Sequence, residues 1–348
     1  MIYYFSESNF RGNHAGTKAR NDVEAILAGA GYRPINRKKL ILKTAENEEH
    51  IVSNIRNRLD FIPYYLDLLS FREKTIIIQY PMLSFDIAED YVRKLAKNNK
   101  VIFLVHDIQS MRRQDENGIK SEIRLLNLAA GVILHNQHME KALRHIGLSV
   151  SKVYLLDCFD YLYDGNIPER KRLNGKVAFA GNLEKSEFLE EMIIENPEIE
   201  FVLYGNGWDV NNKNYGNVDY KGSFAPDEIP GKIVESFGLV WDGDSTHGCT
   251  GKFGEYTRIN NPHKLSLYIA AGLPVIVWEE AAIAEFVSVN QIGLTVSRVD
   301  HLKELLQEVD ETTYKKMQDN VQRIREKIVG GQYLGSVLQQ IEKDEGKK

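Results

Sequence analysis

Apolar residues along this chain concentrate in short strand-like runs. Each is followed by polar or glycine-containing residues and then by a segment with helical spacing. In the first half the blocks are residues 2–5, 75–80, 101–105, 131–135 and 152–156. Between the first two, Ala19, Val23, Ile26 and Leu27 give residues 17–29 the period of a helix, and residues 43–74 and 86–99 predict further helices. Strand-length blocks alternating with helices predict a parallel sheet covered on both faces. The periodicity lapses over residues 157–172, where Asp164-Gly165-Asn166-Ile167-Pro168 forms a turn cluster before a charged run, so a linker is placed there. A second strand series follows at 177–180, 201–204, 239–242, 274–278 and 294–296. A helix over 264–271 stops at Gly272, with Pro274 just beyond. Residues 311–345 predict long amphipathic terminal helices.

The pattern predicts an α/β protein with two Rossmann-like parallel-sheet domains: residues 1–165, residues 166–310, and helices over 311–348 packing back toward the first domain. Open α/β sheets bind ligands at the carboxyl ends of their strands. Two such sheets place the expected site in a cleft between them.

Composition narrows this picture. A chain of 348 residues, 43% apolar and 27% charged, is of ordinary globular make-up. No apolar run approaches the ~20 residues that span a bilayer. The opening residues lack the charged region and cleavage site of a signal peptide. Cys158 and Cys249 form neither a disulfide framework nor a metal cluster, which predicts free thiols and a cytoplasmic setting. Lys+Arg against Asp+Glu is 22 to 17 over residues 1–150, hence +5, and 22 to 32 over the rest, hence −10. Neither half is basic enough for nucleic acid. The asymmetry reads either as two surfaces with different partners or as scattered solvated charge.

Several stretches carry candidate chemistry. In Asn261-Pro262-His263-Lys264, proline precedes a helix, Asn261 is a candidate N-cap, and His263 and Lys264 add donors and charge to a helix start. Unpaired amides there favour an anion such as a diphosphate, although an ordinary surface lysine at a helix start would look the same. Strands run into Gly181-Asn182, with Lys185 nearby, and into Tyr204-Gly205, where Tyr204 is expected to meet a nucleoside by its ring or its backbone. Such turns also end strands in any α/β protein. Trp241-Asp242-Gly243-Asp244 has the carboxylate spacing of a metal–phosphate site, but the preferred reading is a loop lining a sugar or ribose, with Asp242 accepting from hydroxyls and no metal. The segment from Arg11 to Thr17, with Gly12, His14, Gly16 and Thr17, is read as a loop over the site, and it lacks the G-x-G-x-x-G spacing of a dinucleotide fingerprint. The block at 101–105 delivers His106-Asp107 to a strand end, where either is a candidate base for an acceptor hydroxyl. His135 and His14 are weaker candidates, and for any of these histidines a structural role is the alternative.

These residues together are familiar. Trp241-Asp242-Gly243-Asp244, Gly251-Lys252-Phe253-Gly254-Glu255-Tyr256, Asn260-Asn261-Pro262-His263-Lys264 and Pro274-Val275-Ile276-Val277-Trp278 resemble the O-antigen β-1,6-galactofuranosyltransferases of the WbbI type. So do His106-Asp107-Ile108, Ala180-Gly181-Asn182-Leu183 and Ala15-Gly16-Thr17-Lys18-Ala19-Arg20. More distantly the chain is similar to a streptococcal adhesin glucosyltransferase of GT-B architecture. The resemblance implies a UDP-galactofuranose donor, a hexose acceptor on a lipid-linked glycan intermediate, inversion at the transferred carbon, and no cofactor beyond the UDP-sugar substrate. It puts a diphosphate contact on Lys264 and a basic residue at Lys185, where the distant relative has arginine, and an aromatic position on His263. A peripheral membrane contact by the basic half and a homo-oligomer are compatible with it. A UDP-glucose or UDP-galactopyranose transferase, or a non-catalytic UDP-sugar-binding subunit, stays open beside it.

Overall fold

Continuous apolar runs become fully buried strands here, because a parallel sheet with helices on both faces hides alternate side chains equally. The computed structural model describes residues 1–8, 15–35, 40–41, 71–82, 85–169, 173–209, 211 and 215–346. The described elements begin with β1 (Ile2–Tyr4), β2 (Glu7–Ser8), α1 (Ala15–Gly29), β3 (Arg33–Pro34), β4 (Leu40–Ile41), β5 (Thr75–Tyr80) and α2 (Phe85–Ala96). They continue with β6 (Lys100–Val105), α3 (Gln109–Arg113), α4 (Glu116–Leu126), β7 (Gly131–Leu134), α5 (Gln137–His145) and β8 (Lys152–Leu155). The second series is β9 (Val177–Ala180), α6 (Phe188–Glu195), β10 (Phe201–Tyr204), β11 (Val218–Gly222), β12 (Phe237–Val240), α7 (Gly251–Tyr256) and α8 (His263–Ala270). It closes with β13 (Val275–Trp278), α9 (Ile283–Asn290), β14 (Gly293–Val296), α10 (Leu302–Gln307), α11 (Glu311–Val329) and α12 (Gln332–Asp344).

The chain divides into two units, residues 1–12, 20–156 and 334–348 in one, and residues 13–19 and 157–333 in the other. The first holds a parallel sheet in the order β3-β1-β5-β6-β7-β8. The second holds a parallel sheet in the order β11-β10-β9-β12-β13-β14. Counted within its own unit, this second order is third, second, first, fourth, fifth, sixth, the arrangement of dinucleotide-binding sheets, and it reverses between β9 and β12. Its core joins Phe179, Phe188, Phe201, Trp241 and Tyr268 to α11 through Tyr314, Val321, Ile324 and Ile328.

The structure departs from the sequence reading at several points. Of the terminal helices over 311–348 expected to pack back toward the first domain, α11 lies in the core of the second unit, and only residues 334–348 belong to the first. The strand predicted over 239–242 is Phe237–Val240, so Trp241 and Asp242 have already left the ladder. Edge strands β3 and β11 were not expected; the first contains a proline and two exposed residues, the second alternates half-buried polar and apolar positions. The helix reading over 43–74 lies outside the described residues except for 71–74, which are not helical. Among the described residues no helix is long and apolar enough to cross a membrane.

Candidate active site

At the reversal of the second sheet, chains leaving β9 and β12 part in opposite directions, and that is where an open α/β sheet receives its ligand. Helix α8 brings Lys264 to this point. Pro262 stands at its N-cap with φ −68° and ψ 138°, an extended approach fixed by the pyrrolidine ring. The Lys264 ammonium donates to the carbonyl of Trp241, just past β12, at 2.9 Å. It also lies 4.6 Å from the ring centroid of Phe179 on β9. A side chain at Gly181 would bring its Cβ to 3.1 Å from Lys264 Cε, so the missing side chain leaves the slot in which the lysine lies. An ammonium has three N–H groups and Trp241 takes one, which leaves donors for an anion beside the amides of the helix start.

One turn later on α8, Tyr268 locks this arrangement. Its fully buried hydroxyl accepts from the Ala180 amide at 2.7 Å. Its ring covers Gly238 on β12 so closely that a Cβ there would sit 2.3 Å away. Tyr268 thus presses the helix onto both strands of the reversal. No motif pointed to it; the available signal was its spacing, four residues after Lys264 on the same helix face.

Other predicted donor-side residues take different roles. His263 is no charged donor: its ring stacks on Phe159 at 5.1 Å, and its nitrogens are sealed from water without a partner among the described residues. Burial, helped by the nearby Lys18 ammonium, lowers its pKa from 6.5 to about 4. Asn261 is not the N-cap; its side-chain amide donates to the carbonyl of Asp157 at 2.9 Å. The ring of Tyr204 is buried, and its hydroxyl donates to Glu235, whose oxygens lie at 3.1 and 3.2 Å, while its carbonyl accepts from the Gly181 amide, so it is a core anchor rather than a nucleoside wall. Gly205, at φ 140°, serves a backbone crossing: a Cβ there would strike the Gly181 carbonyl at 1.8 Å. Trp241 is buried too, its indole donating to Ser245 at 3.0 Å, and it offers the site only its carbonyl.

Asn182 ties its own turn, accepting from the Lys185 amide at 3.1 Å, and the Lys185 residue is exposed. Asp242, half-buried, accepts from the Gly243 amide at 3.1 Å. Asp244 accepts from the Thr250 hydroxyl at 2.5 Å and crowds Gly251 at the start of α7, so its carboxylate braces the loop. Elsewhere on this unit Glu195, His247 and Asp300 bring ligand atoms within 4.8 Å of one another. Arg298 forks onto both oxygens of Asp300, however, and supplies the positive charge a cation would.

In the first unit, His106 and Asp107 follow β6 as predicted, both half-buried. His106 Nε2 lies 2.7 Å from the Gln79 side-chain oxygen on β5, and its amide donates to the Tyr80 carbonyl at 2.7 Å. Asp107 faces Arg112 at 3.6 Å. His135 is fully buried with Nε2 3.1 Å from the Val105 carbonyl, a structural histidine rather than a base. Of the predicted covering loop, Gly12 and His14 lie outside the described residues. Gly16 and Thr17 fall in the first turn of α1, not in a loop, and Thr17 is buried. The next residue, Lys18, is buried as well, donating to the Leu162 carbonyl at 2.7 Å and pairing with Asp227 at 2.9 Å.

Two Rossmann-like parallel sheets, the second with a cationic side chain at its point of reversal, have the architecture of the GT-B fold class. Residues 3–158 match the model of the glucosyltransferase 3-like N-terminal domain and residues 177–341 that of the C-terminal domain. The chain belongs to this glucosyltransferase 3-like family of glycosyltransferases. It is 32% identical over 348 residues, 98% of each chain, to the beta-1,6-galactofuranosyltransferase WbbI of Escherichia coli strain K12. It is 27% identical over 228 residues, 65% of each chain, to glucosyltransferase 3 of Streptococcus gordonii. Among solved structures, sucrose-phosphate synthase from Thermosynechococcus elongatus superposes with a TM-score of 0.62 over 98% of each chain at 16% identity, a likeness of fold.

Proposed function

We propose that this protein transfers galactofuranose from UDP-galactofuranose to a hexose hydroxyl of a cell-surface polysaccharide intermediate, O-antigen or capsule, forming a β-1,6 linkage with inversion. The observation that carries this reading is its likeness, at 32% identity over 98% of both chains, to a protein named as a beta-1,6-galactofuranosyltransferase. The donor's diphosphate lies against Lys264 and the α8 amides, where cationic and dipolar groups stabilise the charge that grows on departing UDP. These donors replace a divalent ion, so turnover is expected to persist in EDTA. His106 takes the proton of the acceptor hydroxyl. It is a better base than its neighbour Asp107, because Gln79 holds its ring while Asp107 is turned to Arg112.

A screen of UDP-sugars against simple alkyl hexosides, with the product linkage and anomeric configuration read by NMR, tests the reading. Transfer of galactofuranose into a β-1,6 product is expected, and a retained configuration would refute inversion. Glucosyl transfer is the second reading, because both family models carry the glucosyltransferase 3 description. Exclusive use of UDP-glucose in the same screen would establish it. Lys264→Ala is expected to weaken UDP binding at least about tenfold in calorimetry, as loss of a hydrogen bond to a charged group does. Unchanged affinity would remove Lys264 from the site.

A further inference from the structure

We infer that Gln79 is a positioning residue for His106, fixing the imidazole so that Nε2 carries the ring proton and Nδ1 is the basic nitrogen. Gln79 follows the apolar run Ile76-Ile77-Ile78 of β5 and is only 2% exposed. A buried amide is costly unless both of its ends are satisfied. Its nitrogen donates to the Arg20 carbonyl on α1 at 3.3 Å, and its oxygen lies 2.7 Å from His106 Nε2. A backbone carbonyl can only accept, so the amide nitrogen must face Arg20 and the amide oxygen must face the ring. That oxygen is itself only an acceptor, so the ring nitrogen opposite it must be N–H. In a neutral imidazole the other nitrogen, Nδ1, then carries the lone pair.

The support behind Gln79 is also built. The Arg20 guanidinium donates to the Pro81 carbonyl, two residues beyond Gln79, so Arg20 grips this strand end through both its backbone and its side chain. The His106 amide donates to the Tyr80 carbonyl, which sets the histidine backbone in register with the same strand end. The Gln79 amide is thus held at both of its ends, and His106 through its ring at Nε2 and through its backbone amide, as a precise base requires. The catalytic meaning of this tautomer rests on the reading of His106 as the base.

The test uses the full chain labelled with nitrogen-15 and correlates the imidazole nitrogens with their carbon-bound protons, His106 being assigned by its loss in His106→Ala. The wild type is expected to show a protonated Nε2 and an unprotonated Nδ1. In Gln79→Leu, where an apolar residue suits a buried strand, the two nitrogens are expected to average between tautomers. That variant's kcat should fall about tenfold to hundredfold, with KM for the donor held within about twofold. Gln79→Glu, whose carboxyl still accepts from Nε2, should recover the wild-type tautomer and most of the kcat. An unprotonated Nε2 in the wild type would overturn the proposal, and so would a Gln79→Leu spectrum and kcat identical to wild type. Near-normal kcat in His106→Ala would overturn only the assignment of the base, and the spectrum would still decide whether Gln79 sets the ring.

Discussion

A histidine at the first position of a helix reads as a donor to an anion, yet folding turns His263 into an apolar packing element. Its ring lies on Phe159 with 28° between planes, and neither nitrogen meets water or a partner among the described residues. Desolvation first, and the Lys18 ammonium second, lower its pKa from 6.5 to about 4. Between those values the unfolded chain binds the proton and the folded chain does not. The stability this residue contributes is therefore complete above pH 6.5 and is lost as pH falls toward 4. Replacing it by phenylalanine keeps the stacking and abolishes the titration. Urea unfolding of the two proteins at pH 7 and at pH 4.5 should show the wild type losing about 2 kcal/mol more than His263→Phe over that interval. Parallel losses would mean that the ring reaches water in solution. Lys264, the very next residue, instead keeps its ammonium in polar contact, donating to the Trp241 carbonyl at 2.9 Å. A long flexible side chain at a helix start can reach a strand end whatever the local packing, whereas a short ring goes where the helix turn points it.

At the level of elements, legibility followed burial. Strands β5, β9 and β10 were read to the residue because both of their faces are covered: β9 and β10 are unbroken apolar runs, and β5 is buried along its whole length although it carries Thr75 and Gln79. Strand β11, Val218-Asp219-Tyr220-Lys221-Gly222, pairs along one edge only and carries no such run. The strand-end glycines were legible as special backbone, but not as to why. Gly181 clears room for a lysine, while Gly205 lets two turns cross, and the choice depends on a chain segment that is remote in sequence. Tyr204 and Trp241 misled for a related reason: an aromatic residue at a strand end suits a ligand wall or a core, and only Glu235 and Ser245 decide. Tyr268 belongs at this scale too, since its hydroxyl couples α8 to β9. Tyr268→Phe leaves the Ala180 amide buried and unpaired, an expected cost of about 1–3 kcal/mol in urea unfolding. Gly238→Ala forces a Cβ into the same ring and should cost at least as much, about 3 kcal/mol. Because Lys264 rides on this helix, Tyr268→Phe should also weaken UDP binding severalfold. Full affinity with the stability loss intact would show that the helix start holds its place without the tyrosine.

Across the whole molecule, the chain returns to its first unit after completing the second. Residues 157–333 build the second sheet and its helices, and residues 334–348 belong with residues 20–156. This return is more than a tail. Leu334, Val337, Leu338 and Ile341 are each no more than 2% exposed. Three carboxylates near the end receive hydroxyls from the first unit: Glu342 from Tyr32 at 3.0 Å, Asp344 from Tyr154 at 2.9 Å, and Glu345 from Thr75 at 3.0 Å. Lys152 pairs with Asp344 at 3.0 Å and Lys100 with Glu345 at 2.9 Å. The bonds from Lys152 and Tyr154 hold the Asp344 carboxyl below its usual range, and at Glu345 the bonds from Lys100 and Thr75 outweigh a burial that acts the other way. Four buried apolar side chains at about 1.5–3 kcal/mol each amount to roughly the whole stability of an ordinary domain. A chain ending at Tyr333 should therefore lose the first unit while keeping the second. Limited proteolysis read by mass spectrometry is expected to cut the shortened protein throughout residues 20–156 and to leave a resistant fragment over residues 157–333, which the second unit's own core accounts for. Equal resistance of residues 20–156 in both chains would show that the first sheet stands without its returning helix. The charged ties make a graded version possible: Asp344→Asn with Glu345→Gln keeps the apolar contacts, removes both ion pairs, and should expose the same region only at raised temperature.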